Sequence, residues 1–126
     1  MNRIKQFAHS LKHAIRGLAY VFKYEKNFQN EIGVGFLVVL GMIFFDVTKA
    51  EMVVLFFVVF GVLIMEILNT IMERVVDILK PRIHPYAKLI KDLMAASVLL
   101  SAILAVVTGL IIFAPYVAEE FHQFML

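Results

Sequence analysis

The stretch MVVLFFVVFGVLIMEILNTIMERVVD, residues 52–77, decides the fold. Its first fourteen residues are apolar without a break, and Glu66 then stands at the end of that run. The helical pattern continues past Glu66 to about Leu79, with Asn69, Glu73 and Asp77 as its polar members. At about 100° per residue, these four fall within roughly 80° of arc. They form one polar stripe running out of an otherwise apolar helix. A carboxylate inside or at the edge of a bilayer is expensive and ordinarily faces a protein interior, where it marks a functional site. The plainer reading is a buried acid paired with Lys or Arg to fix packing. Three acids on one face weaken that reading, because like charges repel and folding does not require them together.

The remaining sequence fits a membrane frame. The chain has 126 residues, 62% of them hydrophobic, with no Cys and no Trp. That apolar share exceeds the roughly 45–50% of an average soluble domain. One domain, residues 1–126, is the natural count at this length. Ile4, Phe7, Leu11, Ile15, Leu18 and Phe22 recur at helical spacing. Lys5, His9, Lys12, His13, Arg16 and Lys23 fill the other side. A basic face opposite an apolar stripe suits a helix lying in the membrane interface, over about residues 4–24. A first span is expected over about 28–47, a second over about 51–79 with a cytoplasmic extension, and a third over about 86–118. Pro81 and Pro85 punctuate a polar connection between the last two. The expected fold is all-α: an amphipathic surface helix followed by three transmembrane helices.

Charge sets the direction. Arg3, Lys5, Lys12, Arg16, Lys23 and Lys26 precede the first span, and Arg74, Lys80, Arg82, Lys88 and Lys91 surround the second connection. Only Lys49 lies in the first connection. The positive-inside rule therefore places the N-terminus and the second connection in the cytoplasm, and the C-terminus outside. The basic segment up to Lys26 lacks the apolar core of a signal peptide. A net charge of only +2 gives no reason to expect a nucleic-acid partner.

Oxygen donors without Cys point to a hard ion such as Mg²⁺. That ion commonly takes one or two carboxylates together with substrate phosphates, which implies a nucleotide. A second cluster, Lys88, Lys91 and Asp92 with Ala95, shares a face at the start of the third apolar run. Lys88 alone reads as an anchor at the membrane edge. Lys91 beside Asp92 can neutralise phosphate and accept from a ribose. Glu25 and Glu31, around Asn27 to Asn30, read from composition as a polar flank. There is no phosphate loop of the G-x-x-x-x-G-K-[ST] type and no protein-kinase motif set. The four His residues are read as scattered, without the paired spacing of a zinc hydrolase.

The run Glu66-Ile-Leu-Asn69-Thr70-Ile-Met-Glu73-Arg-Val-Val-Asp77 resembles the signature of the prokaryotic diacylglycerol kinase family, E-x-x-N-[ST]-x-x-E-x-x-x-D. His84-Pro85-Tyr86-Ala87-Lys88 and Lys91-Asp92 resemble its second block. The resemblance covers nearly the whole chain. It implies a homotrimer in the bacterial inner membrane, transferring the γ-phosphate of MgATP to a lipid alcohol. Glu66 then corresponds to the general base on the lipid hydroxyl, and Glu25 and Glu73 to metal ligands. Asn69, Asp77, Lys91 and Asp92 correspond to nucleotide and phosphate contacts, with Glu25 and Glu73 beside them and Arg82 and His84 on the loop that approaches the nucleotide. Ala95 stands where diacylglycerol kinases of the family carry Ser. With the runs Phe22–Phe28 and Pro85–Asp92, this resembles the undecaprenol kinases more than the diacylglycerol kinases. The competing readings are a small transporter, which has no use for an acid stripe reaching the cytoplasm, and a non-catalytic membrane protein.

Overall fold

The computed structural model describes residues 2–126; Met1, the first residue of the expected domain, lies outside them. The described residues form three helices and no strand.

Helix α1 covers Arg3–Tyr24. Its first turn is capped by Asn2, whose side-chain oxygen accepts from the Ile4 N–H at 2.7 Å. One residue, Glu25, breaks it, with extended backbone at φ −105° and ψ 108°. Helix α2, Lys26–Phe45, follows at once. The corner is held from both sides. Gln29 donates its side-chain N–H to the carbonyls of Phe22 and Lys23, at 2.8 and 3.3 Å, satisfying acceptors that the end of α1 leaves open. Val21 and Phe28 are buried on either side of the break.

Helix α2 ends at Asp46 in the left-handed region, φ 51° and ψ 54°, a conformation that Asp tolerates better than most residues. Thr48 and Glu51 then form a reciprocal capping box that starts α3, Lys49–Met125. Straight, a helix of 77 residues would reach about 115 Å at 1.5 Å per residue, several times a bilayer core. It does not run straight. Ile83 has non-helical backbone, φ −112° and ψ 18°. The ring of Pro85 excludes the carbonyl of Pro81 four residues back, so the helix must deform between them. Beyond this bend the chain returns along itself. Lys91 meets Asp77 near the bend, and Tyr116 meets Glu51 far from it. The expected polar connection over residues 80–85 is therefore a corner of one non-helical residue. Pro81 and Pro85 do interrupt the helix, but their restricted backbone also suits a tight turn between two helical limbs.

A core at the end away from Ile83 joins α2 to both limbs of α3. Met42, Val47 and Leu55 are buried there, with Phe45, Phe113 and Tyr116 packed against them. Gly41 permits the approach of Phe113, since a Cβ at that position would lie 3.2 Å from the ring. Elsewhere large apolar side chains point outward: Phe36, Leu37, Phe57 and Ile111 are each about 70% exposed. Water does not tolerate so broad an apolar surface. Among the described residues, α2 and α3 are the helices long and apolar enough to cross a membrane.

Candidate functional site

The polar stripe emerges from the fold as a gradient of burial. Glu66 is 2% exposed and Thr70 5% exposed. Asn69 and Glu73 are half-buried, and Asp77 is exposed. The Thr70 hydroxyl bonds back to the Glu66 carbonyl at 3.1 Å, which disposes of a buried polar group within the helix. Asn69 donates its amide N–H to Glu73 Oε1 at 3.3 Å.

The corner between α1 and α2 lies against this stripe. The charges of Glu25, Glu73 and Glu31 all bear on the Glu66 carboxyl, and the amides of Asn27 and Asn69 face it. Arg74 reaches across to Glu25 at 3.3 Å and to the Tyr20 hydroxyl at 3.5 Å. Four carboxylates thus bear on one buried helix turn, and among the described residues the guanidinium of Arg74, on Glu25, is the cation paired with them. Glu31 has one carboxylate oxygen buried without a hydrogen-bond partner.

The donor set is all oxygen and strongly negative, which fits a hard divalent cation. Among the described residues, no group of three or more His, Cys, Asp or Glu is placed to hold a metal ion. One or two carboxylates sharing an ion with phosphates would not require such a group.

The other expected residues form a second group. Lys91 donates to Asp77 Oδ1 at 2.8 Å, joining the two limbs of α3. Lys88 pairs with Asp92 one turn along its own helix, at 2.7 Å. Arg82, His84 and Ala95 are exposed. Among the described residues, no hydrogen bond or ion pair joins Lys91, Asp92, Arg82 or His84 to Glu66 or Glu73. Within one chain the expected nucleotide contacts therefore divide into two sets, with Asp77 beside Lys91.

Three members of the Glu66 cluster escape the sequence reading. Asn27 and Glu31 read as a flank and Arg74 as a topology marker. The available signal is spacing: Asn27 and Glu31 are one helical turn apart on α2, so they share a face. The reading of the His residues as scattered is also incorrect. His9 and His13 are four residues apart on α1, and their rings touch.

From the Glu31 end of the cluster, an apolar trough of about 490 Å³ leads away between α2 and both limbs of α3. Val34, Val38, Val59 and Val62 line it, with the small residues Gly35, Ala102, Ala105 and Gly109. Nearly all of its surface is hydrocarbon, and Asn30 and Glu31 are its polar residues.

A family model described as prokaryotic diacylglycerol kinase matches residues 12–113. The chain belongs to the prokaryotic diacylglycerol kinase family. It is similar to the undecaprenol kinase of Bacillus subtilis (strain 168), 32% identical over 114 residues, which cover 90% of this chain and 93% of that protein. It is also 35% identical over 101 residues to a diacylglycerol kinase of Synechocystis, covering 79% of this chain and 58% of that protein. A diacylglycerol kinase of Haemophilus influenzae is 31% identical over 105 residues, 82% of this chain and 89% of that protein. The family is one of kinases, so the chain is an enzyme, and the transporter and non-catalytic readings fall away.

Proposed function

We propose that this chain is a multi-pass membrane kinase that transfers the γ-phosphate of MgATP to a lipid alcohol, favouring undecaprenol. The observation that carries this reading is Glu66, buried at the end of an apolar run and surrounded by Glu25, Glu31 and Glu73. The trough beginning beside that cluster supports an acceptor with a long hydrocarbon tail.

Glu66 accepts the proton of the lipid hydroxyl. The freed oxygen attacks the γ-phosphorus, a new O–P bond forms, and the bond to the bridging oxygen breaks to release ADP. Phosphoryl transfer depends mainly on positioning and charge neutralisation. Glu25 and Glu73 would hold a hard divalent ion, which neutralises phosphate charge when bound. Asn69 contacts the nucleotide beside Glu73. Asp77, Lys91 and Asp92, with Arg82 and His84 at the bend, bind the nucleotide, and Ala95 lies on the lipid side.

The chain crosses the bacterial inner membrane three times, once as α2 and once as each limb of α3. α1 rests in the cytoplasmic interface, the N-terminus is cytoplasmic and the C-terminus is outside. Its assembly is a homotrimer. The separation of the Lys91–Asp92 group from the Glu66 cluster supports sites shared between chains, and the uncovered apolar surface supports association. The preference for undecaprenol is supported by Ala95, and by the Bacillus subtilis undecaprenol kinase matching over most of both chains. Diacylglycerol is the second reading, supported by the two relatives that carry that name.

The deciding experiment gives purified protein in lipid labelled ATP, Mg²⁺ and either undecaprenol or diacylglycerol. Faster labelling of undecaprenol is expected. A preference for diacylglycerol would reverse the acceptor, and labelling of neither lipid would sink the kinase reading.

A further inference from the structure

The surface helix carries a pair of nitrogen ligands that the acid cluster does not use. His9 and His13 stand one turn apart on α1, so their imidazoles leave the same face. Their Nε2 atoms are 3.0 Å apart. The ring centroids are 4.4 Å apart with the planes at 87°. Both residues are exposed, and among the described residues neither has a hydrogen-bond partner other than its fellow.

As it stands, one ring donates an N–H to the lone pair of the other. With the proton of each ring on Nδ1 instead, both Nε2 atoms present lone pairs and can act together as neutral imidazole ligands. With metal–nitrogen bonds of about 2.0–2.1 Å, cis donors of a square-planar or octahedral ion lie about 2.9 Å apart, and donors of a tetrahedral ion about 3.4 Å apart. The observed 3.0 Å matches the cis separation. Tetragonal coordination by imidazole is characteristic of Cu²⁺ and Ni²⁺. Helix α1 contains no Asp or Glu, and Lys12 and Arg16 lie within a turn of the pair. No carboxylate on α1 helps to hold a cation here, so affinity rests on the metal–imidazole bonds. That favours Cu²⁺, the strongest binder of the divalent series. Hard Mg²⁺, which takes oxygen ligands, has no reason to bind.

We propose that His9 and His13 chelate a divalent transition ion, Cu²⁺ ahead of Ni²⁺, through their Nε2 atoms, with water at the other positions. The site is chemically distinct from the oxygen cluster around Glu66.

The test uses tag-free protein in uncharged detergent, titrated with Cu²⁺ by calorimetry, with electron paramagnetic resonance on the loaded sample. One ion per chain is expected, with hyperfine structure from two nitrogens. Losing even an outer partner of a metal ligand lowers affinity roughly 10–100-fold. His9→Ala and His13→Ala, each losing a direct donor, should weaken binding at least as much. Circular dichroism confirms that each variant keeps its helices. Unchanged Cu²⁺ affinity in both variants would overturn the proposal, as would the absence of saturable binding to the unaltered chain.

Discussion

Arg74 Nη2 lies 3.3 Å from Glu25 Oε1, an ion pair between residues 49 positions apart that ties the α1–α2 corner to the acid stripe of α3. The Glu25 side chain is 20% exposed and that of Arg74 53%. Water therefore screens the pair, and its contribution to stability should be small. Its larger effect is on charge. The guanidinium occupies one carboxylate of the set that would hold a cation. Arg74→Ala should lower the half-saturating Mg²⁺ or Mn²⁺ concentration several-fold, roughly in line with removing one nearby positive charge. Mn²⁺ titration followed by electron paramagnetic resonance measures this directly. Weaker Mn²⁺ binding in the variant would assign Arg74 to the positioning of Glu25 instead.

Asp77 and Lys91 hold the two limbs of α3 together near the bend, at 2.8 Å. Both are substantially exposed, so the contact should contribute little to stability. Their proposed service to the nucleotide is another matter. Lys91→Met should raise the KM for ATP strongly while changing thermal stability little. The charge exchange Asp77→Lys with Lys91→Asp restores the contact across the limbs, but it should not restore the KM. Full rescue by the exchange would make the pair structural.

Tyr116 and Glu51 meet at the opposite end of the molecule, where the Tyr116 hydroxyl donates to Glu51 Oε1. The same oxygen accepts the backbone N–H of Thr48, so one carboxylate serves the helix cap and the limb contact together. Tyr116→Phe should lower stability measurably, because it removes a hydrogen bond to a charged group. Unfolding in denaturing detergent reads the loss. Turnover at saturating substrate should be unchanged, because Glu66 and Glu51 are about four turns apart on one helix. A loss of turnover with unchanged stability would contradict this division.

Much of this architecture is legible in residues 52–77. An apolar run ending in Glu66, Asn69, Glu73 and Asp77 implies both a membrane helix and a face turned inward, and the burial gradient follows it from Glu66 to Asp77. The corner at Ile83 is less legible. Pro81 and Pro85 announce a break, but proline excludes helix by local sterics alone and does not say how many residues leave it. Glu31 reads in the sequence only as a flank. Its membership depends on the single extended residue at Glu25, which turns α2 against α3, and that is a tertiary relation. Arg74 was hidden for a similar reason, since its basic charge serves topology equally well without a partner. The His9–His13 pair, by contrast, was open to sequence, because spacing of four on a helix is enough to bring the rings together.

The assignment of Glu66 as the base on the lipid hydroxyl is tested most directly by Glu66→Gln. The change keeps size and removes one of four clustered acids, so folding and assembly should be preserved or improved. Phosphate transfer from ATP to lipid, measured with purified protein at saturating substrates, should fall by roughly 10²–10⁴-fold, the usual contribution of a general base. Turnover close to that of the unaltered chain would contradict a proton-accepting role for Glu66.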